Sequence, residues 1–318
     1  MNQKKWLVTG AAGFLGSHVI QSLILKDQIV LGIDDLSWGK KEHLTSLTES
    51  KNGTFVKEDI RNTPEVTQIM KDFKPDVIVH LAALHFIPEA IKKPTLAVDI
   101  NVRGTQSILE AAALSSSYQT FWFASTGDVY AKTDQDNDEE KTEVRPFNIY
   151  GMTKFFGEKL LFLEHEKNSN KKFIAGRIYN LIGPNETNPH IVPEIMSQLK
   201  RDNKKLSLGN IHPIRDYVPV DQCARAIIEM CEKITSPYTT CNVATGVGQS
   251  VSDLIKKIEK IFGHTIEVYI DPLKVRTVER ERLVASSQKL KKLIGWAPSS
   301  DVEDILRSLL IAEGLLNK

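Results

Sequence analysis

The stretch Thr9-Gly10-Ala11-Ala12-Gly13-Phe14-Leu15-Gly16 decides the fold, because it joins a strand-like run to a helix-like one. The apolar run Lys5–Thr9 leads into it, and residues 16–25 follow with helical spacing of apolar side chains. In such a loop the first glycine permits a tight turn, the second lets the backbone approach a pyrophosphate, and the third lets helix and strand pack closely. The free N–H groups of the helix N-terminus favour phosphate binding. The loop therefore predicts a dinucleotide-binding site.

Acidic residues after the next two predicted strands extend this interpretation. Asp34 and Asp35 follow the second strand, where a carboxylate accepts hydrogen bonds from the hydroxyls of an adenosine ribose. Such a carboxylate would repel a 2′-phosphate, and no arginine lies next to it, so NAD is favoured over NADP. A pair of turn-forming aspartates is the alternative. Asp59 and Ile60, after the third strand, are predicted to cap the adenine edge.

The composition excludes several classes of partner. The chain has 318 residues with 41 Lys and Arg against 40 Asp and Glu, so its net charge is +1. A nucleic-acid-binding protein usually shows a strong basic excess, so we expect no nucleic-acid partner, and the apolar runs are too short to span a membrane. Cys223, Cys231 and Cys241 are odd in number and form no CxxC pair. They favour a cytoplasmic location over a secreted disulfide framework, and we assign no metal site.

Short apolar runs alternate with helical stretches, which predicts a parallel sheet covered by helices on both faces. The predicted strands are Lys5–Thr9, Gln28–Ile33, Thr54–Val56, Asp76–Leu81, Thr120–Ala124 and Phe173–Ile178. The predicted helices lie at 16–25, 95–116, 150–167, 192–202, 220–233, 250–262, 286–293 and 301–316. The expected fold class is α/β, with a Rossmann-type doubly wound sheet.

The pattern loosens after residue 180, where prolines and glycines interrupt it. We therefore expect a smaller C-terminal α/β substrate domain beside the dinucleotide-binding one. The predicted division gives residues 1–180 and about 215–244 to the Rossmann domain. It gives residues 181–214 and 245–318 to the substrate domain. An active site between them would lie at the carboxyl ends of the strands.

Tyr150 and Lys154 carry the predicted acid–base chemistry. Their i, i+4 spacing at the start of a helix places both side chains on one face. A phenol is a useful base at neutral pH only if its pKa falls, and both an ammonium group and a positively charged nicotinamide ring lower it. The preceding strand ends in Ser125-Thr126-Gly127-Asp128-Val129-Tyr130, so a hydroxyl there is placed to share the proton relay. A surface pair is the alternative for the YxxxK spacing alone.

These pieces together resemble the extended short-chain dehydrogenases/reductases, in their NAD-dependent nucleotide-sugar epimerase/dehydratase group. Ten motifs follow the order of that family over nearly the whole chain. They are TGAAGFLG at 9–16, DDLS at 34–37, EDIR at 58–61, HLAA at 80–83, NVRGT at 101–105, ASTGDVY at 124–130, YGMTK at 150–154, GRIYNLIGP at 176–184, RDYVPVDQ at 215–222 and LIGWAP at 293–298.

The resemblance implies roles for individual residues. Thr126 matches the residue that hydrogen-bonds the sugar C4 oxygen, Tyr150 the base, and Lys154 the group that holds the nicotinamide ribose. The positions expected to line the ribose and nicotinamide of NAD are Leu81, Ala82, Ala83, His85 and Asn101. The positions expected to bind the nucleotide-sugar substrate are Thr126, Asn180, Arg215, Arg276 and Glu279. A structural turn arginine is the alternative for Arg215, and a solvated charge for Arg276. For His190 and His212 we expect surface positions in loops.

The residues after the catalytic threonine favour one reaction within the group. Dehydratases of the family usually carry an Asp-Glu pair there, and this chain has Gly127-Asp128. Glycine cannot donate a proton, so 4-epimerisation through a transient 4-keto sugar is the favoured prediction. Asp128 still provides one carboxylate, which leaves dehydration or decarboxylation as the alternative. A non-catalytic dinucleotide sensor is the remote one. Relatives usually form homodimers through the helices near 95–116 and 150–167, and we expect the same here.

Overall fold

A seven-stranded parallel sheet forms the centre of the computed structural model, which describes residues 3–275 and 280–317. The strands of the chain are β1 Lys5–Thr9, β2 Ile29–Asp34, β3 Gly53–Lys57, β4 Val77–His80, β5 Thr120–Thr126, β6 Lys172–Ile178, β7 Asn180–Ile182, β8 Lys205–Leu208, β9 Ile214–Pro219, β10 Tyr238–Val243, β11 Gly248–Ser250, β12 Glu267–Ile270 and β13 Arg282–Leu283. The order of the large sheet is β10-β6-β5-β4-β1-β2-β3, which confirms the predicted doubly wound α/β fold.

Helices cover both faces of this sheet. They are α1 Phe14–Leu25, α2 Thr45–Thr48, α3 Thr63–Phe73, α4 Ile87–Lys92, α5 Pro94–Val98, α6 Gly104–Ser115, α7 Ile149–Lys167, α8 Ile191–Leu199, α9 Val220–Lys233, α10 Val251–Phe262, α11 Gln288–Ile294 and α12 Glu303–Ala312. The predicted helix 95–116 is observed as α5 and α6 joined by a π-helical turn, Asp99–Arg103. Among the described residues, no helix combines the length and apolarity needed to cross a membrane.

Alternating side chains give each face of the sheet its own core. In β1, Trp6 and Val8 point into one cluster with α1, α9 and α11, whereas Leu7 points into the other with α3, α6 and α7. All three of these β1 side chains are completely buried. Burial on both faces explains why the strands read as nearly continuous apolar runs in the sequence.

The later part of the chain builds a third core and two small sheets. Strands β7, β9, β11 and β13 form one sheet, and β8 pairs with β12. The core beside them gathers apolar side chains from α8, α10 and α12. The predicted division at residues 181, 215 and 245 stays a prediction. Helix α11, which that division places in the substrate domain, packs against α9 and β10 of the large sheet.

A buried ionic network fixes α7 on the sheet. Glu158 of α7 accepts two hydrogen bonds from the guanidinium of Arg177 in β6, at 2.9 and 2.8 Å. The same carboxylate accepts a hydrogen bond from the hydroxyl of Ser125 in β5, at 2.5 Å. The side chains of Glu158 and Arg177 are only 4% and 5% exposed. The network therefore sets the position of the helix that carries Tyr150 relative to the strand that ends at Thr126.

We expect Arg177→Met to lower the free energy of unfolding by about 3–5 kcal/mol, because it leaves the carboxylate of Glu158 buried without its cation. The double variant Glu158→Leu/Arg177→Met removes both charges and is expected to recover most of that loss. The control is Arg145→Met, which breaks an exposed pair with Glu143 and is expected to cost about 0–1 kcal/mol. Denaturant unfolding measures all three, and a double variant as unstable as Arg177→Met would contradict the argument.

Candidate active site

A cleft of about 880 Å³ lies where the loops after the strands of the large sheet meet the segments that follow β6. Most of the predicted site residues line it: Gly10, Gly13, Phe14, Leu15, Gly16, Asp34, Asp35, Asp59, Ile60, Leu81, Ala82, Ala83, His85, Thr126, Asp128, Tyr150, Lys154, Asn180 and Arg215. Ala12 and Asn101 are buried outside this lining. Arg276 and Glu279 fall outside the described residues, so their roles stay predictions.

The glycine loop after β1 has the geometry that phosphate binding requires. Gly10 adopts a left-handed backbone with φ of 71°, and a Cβ on Gly16 would collide with the Gly10 carbonyl group. Helix α1 therefore begins directly against the turn. Gly13 occupies its N-cap without a side-chain hydrogen bond, so the first backbone N–H groups of α1 are offered to a ligand in the cleft.

Asp34 and Asp35 each hold a turn beside this loop. Asp34 accepts hydrogen bonds from the N–H groups of Ala12 and Leu36, at 3.0 and 2.8 Å. Burial raises the pKa of Asp34, and these two hydrogen bonds lower it. Asp35 accepts from the N–H and hydroxyl of Ser37, at 2.9 and 2.6 Å. Both carboxylates thus brace turns and also line the cleft, so the turn-forming interpretation and the predicted ribose-binding role are compatible.

Asp59 lines the cleft as a paired carboxylate. The guanidinium of Arg61 donates to both oxygens of Asp59, with Nε at 2.9 and 3.0 Å, and these bonds lower the pKa of Asp59. Arg61 also donates to Asp99 of the π-helical turn at 2.6 Å. Ile60 is buried between these groups and Gly104. The Asp59 carboxylate is therefore held in place before any ligand arrives.

Asn101 holds the loop that forms the cleft wall. Its side-chain oxygen accepts from the N–H of Leu84 at 2.7 Å, and its amide donates to the Leu84 carbonyl and the Thr153 hydroxyl. These bonds fix the segment that carries His85. The predicted contact between Asn101 and the cofactor stays a prediction, because the side chain lies behind the wall rather than in it.

His85 joins this wall to the loop before α8. Its Nε2 lies 2.9 Å from the amide nitrogen of Asn188, and the ring is 6.0 Å from that of His190. Burial lowers the pKa of His85 to about 4, so its imidazole is neutral at pH 7. His190 is partly exposed in the loop before α8 and also lines the cleft beside Glu186, 3.2 Å from its carboxylate. His212 is exposed, as expected.

Thr126, Tyr150 and Lys154 all line the cleft. Burial and then the charge of Asp128 raise the pKa of Tyr150, whereas hydrogen bonding by the neighbouring Thr126 hydroxyl lowers it. Burial also lowers the pKa of Lys154 to about 7, and its ammonium lies 4.9 Å from the centroid of the Phe123 ring. The protein's own groups therefore favour a neutral phenol, and further positive charge is needed to make it a base.

The turn between β5 and α7 is tied to the start of that helix. Asn148 caps α7 by accepting from the N–H of Gly151 at 2.7 Å. Its amide nitrogen lies 3.4 Å from the carboxylate of Asp128. The hydroxyl oxygen of Thr126 accepts from the N–H of Asp128 at 3.2 Å. These contacts place Asp128, which is 8% exposed, beside the phenol of Tyr150.

The space beside Gly127 is filled by an aromatic ring. A Cβ on Gly127 would lie 2.7 Å from the Cζ atom of Tyr179, whose side chain is 5% exposed. The Tyr179 hydroxyl accepts a hydrogen bond from the amide of Asn137 at 2.9 Å, which holds the ring in place. A larger residue at position 127 therefore cannot enter without displacing Tyr179.

Sequence patterns did not indicate two further groups in the cleft. Arg280 lines it with a side chain that is 5% exposed, and Glu186 lines it from the loop before α8. Asn180 was predicted, and its side-chain oxygen is buried without a hydrogen-bond partner among the described residues. Neither Arg280 nor Glu186 belongs to a periodic pattern, so only their position in the folded chain reveals them.

Comparison with known proteins agrees with this architecture. The family model described as GDP-mannose 4,6 dehydratase matches residues 7–309. The chain therefore belongs to that family of NAD-dependent epimerases and dehydratases.

Particular relatives are UDP-sugar 4-epimerases. The UDP-glucose 4-epimerase of Mycolicibacterium smegmatis is 31% identical over 92% of this chain and 93% of its own. The structure of UDP-glucose 4-epimerase from Thermotoga maritima with UDP-glucose superposes with a TM-score of 0.87 at 27% identity, over 98% of this chain and 100% of that one. The structure of UDP-glucuronic acid 4-epimerase from Bacillus cereus, in complex with UDP-glucuronic acid and NAD, superposes with a TM-score of 0.87 at 27% identity. The match covers 98% of this chain and 99% of that one.

We expect Gly127→Asp to lower the free energy of unfolding by about 1–3 kcal/mol, because the new side chain overpacks against the Tyr179 ring. In a Tyr179→Ala background the same substitution meets open space, and its cost should fall to a small fraction. Denaturant unfolding of the four proteins in this cycle measures the difference. Equal costs in the two backgrounds would show that the ring does not close position 127.

Proposed function

We propose that this protein is an NAD-dependent nucleotide-sugar 4-epimerase, with a UDP-sugar as substrate, acting through a transient 4-keto sugar. The observation that carries the proposal is that Thr126, Tyr150 and Lys154 line one cleft. Beside them, the Tyr179 ring fills the space at Gly127, where dehydratases of the family usually carry an acid. The UDP-sugar 4-epimerases that the chain resembles in sequence and in structure support it.

The site residues fit NAD as cofactor. The uncapped N-terminus of α1 offers backbone donors for a pyrophosphate, and Asp34 lies at the end of β2 where a ribose would reach it. Several of the similar structures were determined with NAD. When bound, NAD supplies the hydride acceptor and a positive charge beside the reacting carbon.

Tyr150 removes the proton of the sugar C4 hydroxyl in this proposal, and Thr126 hydrogen-bonds the same oxygen. Burial and Asp128 oppose formation of the phenolate, so the ammonium of Lys154 must help to stabilise it. With the cofactor bound, C4 would lose its hydride to the nicotinamide as the hydroxyl proton leaves, and the same hydride would return to the other face of the 4-keto sugar after it has turned. Tyr150 returns the proton, so the enzyme recovers its starting protonation state.

The sugar nucleotide is assigned to the part of the cleft formed after β6. The unpaired, buried oxygen of Asn180 fits a hydroxyl donor of the ligand, since a buried acceptor without a partner is unfavourable. Arg215 lines the same region, and a guanidinium there fits a diphosphate. We assign Arg276 and Glu279 to the diphosphate and a ribose hydroxyl on the resemblance of their motif alone.

Asp128 keeps a second candidate function open. It is a buried carboxylate in the cleft whose charge acts on Tyr150, so it is placed to move a proton during a dehydration or a decarboxylation. An epimerase needs no such group. A non-catalytic sensor is disfavoured, because Thr126, Tyr150 and Lys154 are all retained and lie together.

The reaction is tested by incubating the protein with UDP-, dTDP-, CDP- and GDP-sugars in deuterated water and following the products by NMR. Epimerisation gives an isomer with no ring C–H replaced by C–D, because hydride returns to the carbon it left. Deuterium at C5 or C6, or a loss of water or carbon dioxide, would overturn the proposal and identify Asp128 as the acid–base group.

In the same assay, Tyr150→Phe is expected to lower turnover at least about a hundredfold, with NAD binding retained. The matched control Tyr269→Phe removes an exposed hydroxyl and should leave turnover unchanged. Asp128→Asn should cost far less than Tyr150→Phe if the reaction is epimerisation.

We also propose a cytoplasmic homodimer. All three cysteines are free and buried, which fits a reducing compartment. An apolar groove on α5, the π-helical turn, α6 and α7 supports the dimer; it is lined by Pro94, Thr95, Val98, Asp99, Val102, Arg103, Gln106, Phe156 and Leu160. Phe156 is 54% exposed there, which is unusual for a large aromatic side chain.

Phe156→Asp is expected to shift the protein from dimer to monomer in sedimentation velocity, because it places a charge in the apolar groove. The control Lys256→Asp changes an exposed residue of α10 and should leave the sedimentation coefficient at the dimer value. A monomeric parent protein, or a dimeric Phe156→Asp variant, would contradict this surface.

A further inference from the structure

Arg280 is a buried guanidinium directly against the turn that follows Thr126. Its Nη2 donates to the carbonyl of Tyr130 at 2.5 Å, and its Nη1 lies 3.4 Å from the carbonyl of Gly127. These two carbonyls bracket the short 3-10 turn Gly127–Val129. Arg280 thus spans the turn from one end to the other.

The same guanidinium contacts the segment that begins α7. Its carbon atom lies 4.9 Å from the centroid of the Phe147 ring, in a cation–π arrangement. Phe147 immediately precedes Asn148, which caps α7 and approaches Asp128. Arg280 therefore bridges the two segments that deliver Thr126 and Tyr150 to the cleft.

Charge connects Arg280 to the reacting groups. The carboxylate of Asp128 attracts the Arg280 guanidinium, and the same carboxylate opposes ionisation of Tyr150. Burial disfavours the charged guanidinium, and its Nε has no hydrogen-bond partner among the described residues. An apolar side chain would fill this space without burying a charge and without leaving a buried N–H unpaired. Packing alone therefore does not account for an arginine here.

We propose that Arg280 is a positioning residue of the active site, which fixes the turn after Thr126 and balances the charge of Asp128 beside Tyr150. This inference deepens the proposed function and rests on the role of Tyr150 as its base. Burial and the charge of Asp128 both raise the pKa of the phenol. Arg280 offsets part of the Asp128 charge, so its removal raises that pKa further.

Among the described residues, few charged or polar groups surround Tyr150, so a shift of its pKa can be assigned to one of them. Asp128 faces it from the turn, the Thr126 hydroxyl from β5 and Lys154 from its own helix, and the nearby His85 is neutral. Helices α4 and α5 pack against it with the apolar side chains of Ala90 and Ala97. Within the described part of the chain, Arg280 is a cation that acts on the phenol through Asp128.

The test is a pH titration of the Tyr150 phenolate by ultraviolet absorbance in the NAD-loaded protein. Subtracting the titration of the matching Tyr150→Phe protein isolates this one tyrosine. Arg280→Gln keeps a hydrogen-bond donor but removes the charge, and is expected to raise the titration midpoint by roughly one pH unit. Arg280→Lys keeps the charge and should stay close to the parent midpoint.

Asp128 provides the decisive background. In Asp128→Asn protein, adding Arg280→Gln should shift the midpoint by less than half as much as it does in the parent. The double variant removes the carboxylate together with the cation, so it tests the charge coupling even if Arg280→Gln alone fails to fold. Thermal unfolding and NAD binding are measured on every variant to confirm that it is folded.

The outcomes separate this inference from the proposed function. Equal midpoints for the parent and Arg280→Gln, or an equal shift in both backgrounds, would overturn the charge role. If Arg280 acts only as a structural tie, Arg280→Gln should keep the parent's titration midpoint, and Arg280→Lys should be the less stable protein in thermal unfolding. Because the titration needs no turnover, it stands even if no sugar nucleotide is epimerised. Where turnover is found, the acid limb of the kcat profile should move with the midpoint.

Discussion

The cleft exists because the sheet grows in both directions from β1. Strands β2 and β4 flank β1 and continue to opposite edges, so the connections leave β1 and β4 on opposite faces and open a crevice at their carboxyl ends. Four parts of the cleft follow strands of this one sheet: the glycine loop, the turn at Asp34, the wall at His85 and the end of β5 at Thr126. Parallel pairing alone therefore brings together groups that lie more than a hundred residues apart.

Burial is the second constraint, and it works against the chemistry as well as for it. The same desolvation that excludes water from the cleft lowers the pKa of Lys154 and raises that of Tyr150. A site of this kind favours neutral groups, and it becomes a base only through fixed positive charge nearby. The proposed balance between Asp128 and Arg280 limits how far the carboxylate raises the pKa of Tyr150, and the remaining positive charge must come from elsewhere in the loaded site.

The sequence predicted those parts of the fold that depend on local pattern. Runs such as Phe173–Ile178 identify strands because they are buried on both faces, and the glycine loop identifies the start of α1 to within two residues. Helix α3 was not predicted, since only Val66, Thr67 and Met70 of its eleven residues are buried. The short strands β7, β11 and β13 have two or three residues and no periodicity to detect.

Site residues could be predicted where a motif specifies both the residue type and the backbone conformation. They were harder to predict where tertiary packing decides the position of the side chain. Asn101 belongs to a recognisable motif, yet its side chain serves the Leu84 loop from behind the wall. His190 was expected at a surface position in a loop. It lies in the loop before α8 and is partly exposed, and it also lines the cleft, because this segment folds towards His85. Arg280 reaches the turn at Gly127 from more than a hundred and fifty positions away in the sequence, a distance at which no spacing rule applies.

Under the proposed function, the contact between Gly127 and Tyr179 helps to separate epimerisation from the elimination that related enzymes carry out. An elimination needs a proton donor beside the 4-keto sugar, and a side chain at position 127 would point from the end of β5 towards the place that the Tyr179 ring fills. Position 127 has no acid, and the Tyr179 ring fills the space that an acid there would need. An acid restored at position 127 would have to displace this buried ring, which Asn137 holds in place. Under the proposed function, Thr126, Tyr150 and Lys154 keep their roles whichever residue stands at position 127. Packing opposes a larger acid at that position, whereas Asp128 remains in the turn.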